Sequence, residues 1–264
     1  MNRYIDTHAH YSDEAFDEDR TELIKELFGS GTVCIIDPGI DRASSEKASG
    51  IAREIAGYYC AAGIHPHNAE AAVPEDYELI GRLIENGSLK SGGKIAAVGE
   101  TGLDYHYDFS PRDIQVENFR KNIRLALKYG LPLIVHDREA HEDSLKVLLE
   151  ENAFSGKVLF HCFSGSAEFA QELLKYGCMF SFGGAVTFKN ARKFEGIFKV
   201  IPPEHILPET DSPYMAPEPK RGTRNDSSNL QYIYPRLAVL SGMNENDFEE
   251  QMIRNTRDFF GIII

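Results

Sequence analysis

Eight short β-type runs recur along the chain, with helical stretches between them. The runs are RYID (3–6), TVCIID (32–37), YYCAAGI (58–64), KIAAVGE (94–100), PLIVH (132–136), KVLFHC (157–162), CMFSFGG (178–184) and HILPETD (205–211). Helical spacing predicts helices near 19–29, 43–56, 75–86, 111–129, 140–152, 166–175 and 189–199. The fourth has the best end signals. Ser110 can cap it, Pro111 suits its first turn and Asp113 favours the positive end of the dipole. Val116, Phe119, Ile123 and Ala126 then recur on one face, Gly130 can end the helix, and Pro132 opens the next strand. Strict alternation of this kind implies a parallel sheet closed into a (β/α)8 TIM barrel, an α/β fold that 264 residues can fill as a single domain over 1–264. An open doubly wound sheet is the alternative, but no GxGxxG or Walker A pattern favours it. The last forty residues read as a helical extension, with FFGIII docking the final helix on the body.

Charge and cysteine usage narrow the function classes. The net charge is −13, which argues against broad attraction to duplex DNA and leaves room for a small basic site that grips a few phosphates. Such a site is offered by TDSPYMAPEPKRGTRND (210–226), where Lys220, Arg221 and Arg224 follow Asp211. The four cysteines are far apart and form no CxxC pair, which points to reduced thiols in a cytoplasmic protein. The N-terminal MNRYIDTHAH lacks the apolar core of a signal peptide, and no run approaches a membrane span.

Metal-capable residues fall at the C-terminal ends of the strands. Strand 1 ends in His8-Ala9-His10, strand 3 in His65-Pro66-His67, strand 4 in Glu100, strand 5 in His136, strand 6 in His161 and strand 8 in Asp211. A barrel brings these ends to one rim, where barrel active sites lie. Residues two apart on a strand point the same way, so His8 and His10 can grip one ion. A lone HxH is weak, and a single strand-terminal His is more often half-buried and structural. The conjunction on one rim predicts a metal site, and imidazole with carboxylate suits zinc, manganese or a related divalent ion.

The order HxH, Glu, His, His, Asp on strands 1, 4, 5, 6 and 8 resembles the amidohydrolase-type metal barrels. The words IDTHAH, GIHPH, VGETGLDY, VHDREAHED, FHCFSG and ETDSPYMAP are similar to those of the TatD family of metal-dependent deoxyribonucleases, from residue 4 to about 225. That resemblance implies two divalent ions (Zn, Mn or Mg): His8, His10 and Asp211 on the first, His136 and His161 on the second, and Glu100 shared. Two ions roughly 3.5–4 Å apart can bind the attacking and leaving oxygens of a phosphoryl displacement. Asp211 and Glu100 are then the catalytic carboxylates, with Asp211 as general base. Glu100 stands where some relatives use a carbamylated lysine, so carbon dioxide is not needed to build the site. The implied activity is 3′-to-5′ hydrolysis of single-stranded DNA, and of RNA as a further substrate.

His65, Tyr105, Arg138, Arg221 and Arg224 are the candidate substrate contacts. His65 touches phosphate under the resemblance, or merely stiffens a turn. Arg138 can take a phosphate oxygen in a bidentate pair or brace the acidic helix after it, through Glu139, Glu142 or Asp143. Tyr105 can stack on a base or anchor its loop. Lys220, Arg221 and Arg224 can hold a phosphate tail or pair with surface acids. The family's usual RGxRNEP reads RGTRNDSSN here, so Asp226 and Ser227 replace Glu and Pro, which leaves the posture of Arg224 open. Cys162, beside His161, reads as a packed thiol rather than a nucleophile. His67, His106, His141 and His205 receive no role. Two other readings remain: a hydrolase of amide, lactone or aminoacyl-tRNA ester bonds on the same barrel, and a metal-stabilised barrel that only binds nucleic acid or a protein partner. No obligate protein partner is evident.

Overall fold

A computed structural model describes residues 3–264. Eight parallel strands form one sheet in sequence order: β1 (Tyr4–Asp6), β2 (Thr32–Pro38), β3 (Tyr58–Ala62), β4 (Ile95–Asp104), β5 (Leu133–Arg138), β6 (Val158–Phe160), β7 (Met179–Phe182) and β8 (Ile206–Pro208). Helices α1 (Arg20–Gly29), α2 (Arg42–Glu54), α3 (Pro74–Gly87), α4 (Arg112–Tyr129), α5 (His141–Glu150), α6 (Ala167–Leu174) and α7 (Lys193–Ile197) fill the crossovers. Helices α8 (Leu230–Leu240) and α9 (Glu245–Phe260) follow the last strand. This is the expected TIM barrel with its C-terminal helical extension. The seam between β8 and β1 is closed by single contacts: Thr7 N donates to Pro208 O at 3.0 Å, Asp211 N to His8 O at 2.8 Å, and His10 N to Ser212 O at 2.7 Å.

Alternation along the strands divides the core. Ile5, Cys34, Ile36, Ala61, Ile134, Leu159 and Leu207 form one buried cluster with Phe259, Phe260 and Ile262, so the C-terminal FFGI packs on the strands as expected. A second, larger cluster joins the remaining strand residues to the helices, with Phe119, Ile123 and Ala126 of α4 on its inner face. Burying a Phe or Ile side chain stabilises by roughly 1.5–3 kcal/mol.

Three expectations need correction. Ser110 does not cap α4; its hydroxyl donates to His67 O and accepts from Glu70 N, and Pro111 occupies the cap position. The helix near 189–199 shrinks to Lys193–Ile197. β4 does not end at Glu100. It runs on to Asp104, because Thr101–Asp104 pair with Val135–Arg138 of β5 beyond a register shift. Gly102 permits that pairing: at φ +141° a Cβ there would lie 2.0 Å from His136 O.

Candidate metal centre

Glu100 lies at the centre of the rim, 2 % exposed. Its Oε2 is 3.1 Å from His8 Nε2 and 3.4 Å from His10 Nε2. Its Oε1 is 2.7 Å from His161 Nε2, 2.9 Å from His136 Nδ1 and 3.4 Å from His65 Nε2. Asp211 approaches from β8, with Oδ1 3.6 Å from His10 Nε2 and 4.0 Å from His8 Nε2. Its backbone is left-handed at φ +57°, and its amide is tied to His8 O, which fixes the carboxylate toward the cluster.

Three groups of ligand atoms lie within 4.8 Å of one another: His8–His10–Asp211, His8–Glu100–His161 and His65–Glu100–His136. The donors suit a divalent cation. His8 Nε2 meets His10 Nε2 at 3.2 Å, and His136 Nδ1 meets His161 Nε2 at 3.2 Å. Converging imidazole nitrogens around a buried carboxylate present lone pairs to common points, the chemistry of a zinc or manganese site. His65 thus stands among the ligand atoms themselves, closer in than a phosphate contact alone requires.

The charges are strongly coupled. Burial raises the Glu100 carboxyl, but His161, His65 and His8 outweigh it and hold the group well below the usual range. Burial likewise raises Asp211, and the His10 hydrogen bond with His161 and His8 brings it down. Burial lowers His65 to about 4, so its ring is a neutral donor near pH 7. His10 is pulled down by burial, yet Asp211 and Glu100 lift it to about 9.

Three carboxylates without a sequence assignment lie behind the cluster. Asp104 Oδ2 accepts from His136 Nε2 at 3.0 Å and His67 Nε2 at 2.9 Å, leaving His136 Nδ1 to face Glu100. Its Oδ1 accepts from the amides of His106 and Tyr107. Glu209 accepts from Cys162 N at 2.7 Å and Ser181 Oγ at 2.6 Å, with Oε2 3.8 Å from His161 Nδ1. Asp6 binds Thr210 N, Thr210 Oγ1 and Ser227 Oγ across the β1–β8 seam. Carboxylates behind metal-capable histidines fix the ring orientation and tautomer. All three lie inside the words IDTHAH, VGETGLDY and ETDSPYMAP; the missing signal was which acid would meet which ring across the barrel.

A cavity of about 600 Å³ opens over the cluster, lined by His10, His65, Glu100, His136, His161 and Asp211 with Tyr107, Phe109, Arg138 and Tyr214. Arg138 is exposed on its wall with its guanidinium 5.0 Å from the Tyr107 ring centre, and among the described residues no carboxylate pairs with it. Tyr105 lies outside the cavity lining. Its hydroxyl donates to Asp143 at 2.8 Å and Arg112 stacks on its ring, so it anchors a loop, and Tyr107 and Phe109 hold the position expected of it. Arg221 stacks on Phe188 at 4.0 Å and donates to Ala216 O. Arg224 donates to Ala15 O at 2.8 Å and pairs with Asp19, its guanidinium 4.7 Å from the Phe16 ring centre. The loop arginines are therefore engaged by the protein and lie outside the cavity lining. Asp226 accepts from Ser228 N and caps a turn; it does not brace Arg224. Burial beside Glu209 holds the Cys162 thiol well above its ordinary range, so no thiolate is poised there.

A TIM barrel whose strand ends converge buried imidazoles on one carboxylate is the architecture of a metal-dependent hydrolase. Comparison with known proteins identifies which one: the TatD related DNase family model matches residues 5–261, and the chain belongs to that family of metal-dependent hydrolases. It is 40 % identical over 258 residues to the uncharacterized metal-dependent hydrolase YabD of Bacillus subtilis, covering 98 % of this chain and 99 % of that one. It is 28 % identical over 253 residues to the 3′-5′ ssDNA/RNA exonuclease TatD of Erwinia amylovora, covering 94 % and 95 %. The crystal structure of YjjV, a TatD homologue from Escherichia coli K12, superposes with a TM-score of 0.91 at 26 % identity, covering 99 % of each chain.

Proposed function

We propose that this hydrolase is a divalent-metal-dependent nuclease that cleaves phosphodiester bonds, trimming single-stranded DNA from its 3′ end and acting on RNA as well. The observation that carries the reading is the convergence of five imidazoles on Glu100, with Asp211 beside them, at the floor of an open cavity. The Erwinia relative's name supports the substrate and the polarity.

In this reading His8, His10 and Asp211 would hold one ion, and His136 and His161 would hold a second, with His65 beside them and Glu100 within reach of both groups. Bound zinc, manganese or magnesium supplies Lewis acidity to the phosphate and acidifies a coordinated water. The protein does the rest. Asp211 is ionised at neutral pH and open to the cavity, so its carboxylate accepts the proton of the attacking water. Arg138, unpaired on the wall, holds a non-bridging phosphate oxygen. Asp104 holds the His136 ring from behind, and Glu209 places its negative charge 3.8 Å behind the His161 ring.

A second reading keeps the site and changes the bond to an amide, lactone or aminoacyl ester. The engagement of Arg221 and Arg224 with Phe188 and Asp19 favours it, because the basic loop no longer marks a phosphate tail. A panel of end-labelled single-stranded DNA, RNA and misacylated tRNA separates the two. The nuclease reading expects shortened oligonucleotides. Deacylated tRNA with intact oligonucleotides would overturn it. Among the described residues no helix is long and apolar enough to cross a membrane, and the four cysteines are free.

A further inference from the structure

Large aromatic rings left in water are uncommon on a protein that has room to bury them, and their placement here is not scattered. Among the described residues the exposed large aromatic side chains are Tyr107 (48 %), Phe109 (64 %) and Tyr214 (56 %). All three line the cavity above Glu100. Tyr107 and Phe109 stack on each other with centroids 5.3 Å apart and 26° between planes. The His67 ring meets both edge-on, at 5.5 and 4.7 Å. Asp104 holds that arrangement from beneath, binding His67 Nε2 with one oxygen and the Tyr107 amide with the other. The pair is therefore a braced platform. Tyr214 follows β8, half a turn of the barrel away from β4 in the strand order, and its hydroxyl is tied to Asp13.

We propose that Tyr107 and Phe109 form a stacking site for the nucleobase adjacent to the phosphodiester held at the metal centre, with Tyr214 as the facing wall. This rests on the nuclease reading and deepens it by naming where the base goes. Every nucleobase offers a π-face, so a stacking platform grips single strands with little sequence preference. A duplex keeps its bases inside and cannot use the platform. Arg138 lies over Tyr107 with its guanidinium 5.0 Å from the ring centre, a cation at the platform's edge that can meet the strand's phosphates.

The test compares wild type with Phe109→Ala and Tyr107→Leu on two oligonucleotides: an ordinary single strand, and one whose three terminal nucleotides lack bases. Stacking on an aromatic side chain sets an expected rise in KM of about 5- to 150-fold on the ordinary strand, with kcat far less affected. On the abasic strand the wild type already shows the raised KM, and the substitutions add nothing. Equal KM for variants and wild type on the ordinary strand overturns the proposal. So does an equal loss on both strands. A second readout stands apart from cleavage: a single strand carrying 2-aminopurine is added to metal-stripped protein, and its fluorescence should be quenched by wild type and not by Phe109→Ala. If quenching is seen and no strand is cut, the platform stands and the nuclease reading fails. If strands are cut and no base contact is seen, the reverse holds. Both side chains are exposed, so melting temperatures should stay close to wild type.

Discussion

Asp104→Asn is the change whose consequence follows most directly from the geometry. The carboxylate accepts four N–H groups: His136 Nε2 and His67 Nε2 on Oδ2, the His106 and Tyr107 amides on Oδ1. Its backbone cannot swing away, because Gln115 accepts from Asp104 N and donates to Asp104 O. Asparagine offers one acceptor and one donor in the same space. If its oxygen stays on the two amides, its NH2 faces His136 Nε2. That nitrogen must then accept, and the ring proton moves to Nδ1, the atom 2.9 Å from Glu100 and 3.2 Å from His161 Nε2. A protonated Nδ1 cannot bind a cation. If the amide is turned the other way, the His106–Tyr107 turn loses its acceptor. Loss of such an outer partner costs about 10- to 100-fold in metal affinity, or roughly 1.4–2.7 kcal/mol. Competition against a chromophoric chelator, with manganese or zinc added to metal-stripped protein, measures it. The tighter or the weaker site should shift, and the one built on His8, His10 and Asp211 should not. Wild-type affinity at every site, with the fold intact, would refute the argument.

Other expectations follow from the same contacts. Asp211→Asn should lower kcat by about 10³-fold through loss of the base, with the barrel still folded, since Asn tolerates the left-handed backbone as well as Asp; wild-type turnover would remove Asp211 from the mechanism. Arg224→Ala should leave KM for single-stranded DNA unchanged and cost at most about 1 kcal/mol in a urea melt, because its partners are Asp19 and Phe16. A raised KM would return the loop to the substrate. Burial raises the Asp37 carboxyl from 3.8 to about 6, against hydrogen bonds from Tyr58 and Ser12. A raised folded-state pKa favours the fold below about pH 4, and the contribution is lost as pH rises through 6. Relative to Asp37→Asn, metal-stripped wild type should therefore lose up to about 3 kcal/mol between pH 4 and 7.5. Parallel stability profiles would contradict that environment.

The barrel was legible because its signal is periodic. Eight runs separated by helical spacing have few folded solutions, and the observed strands follow those runs in order. The groups that converge on Glu100 were legible as chemistry at strand ends, because a parallel barrel delivers strand ends to one rim whatever the intervening sequence. The failures came where a residue's role depends on a partner distant in sequence. Tyr105 and Tyr107 are two positions apart in one word, yet only Tyr107 reaches the cavity, since Asp143 of α5 claims the Tyr105 hydroxyl. For Arg224 the choice between a phosphate tail and a surface acid stayed open because its partner, Asp19, lies 205 positions away. Ser110 had the composition of a helix cap but faces the His67 loop. Asp104, Glu209 and Asp6 also reach partners far along the chain (His136 and His67, Ser181, Thr210 and Ser227), which spacing along one chain cannot reveal.

We propose that the imidazole–carboxylate cluster makes this chain a metal-dependent phosphodiesterase on single strands. The most direct measurement is cleavage of a 5′-labelled single-stranded oligonucleotide by metal-stripped protein as manganese, zinc or magnesium is restored stepwise. The expected result is no product without metal, then a ladder of labelled fragments shortening from the 3′ end as the ions are added back, and no ladder from His136→Ala. An oligonucleotide left whole at every metal concentration, or cut equally well by metal-stripped protein, would contradict it.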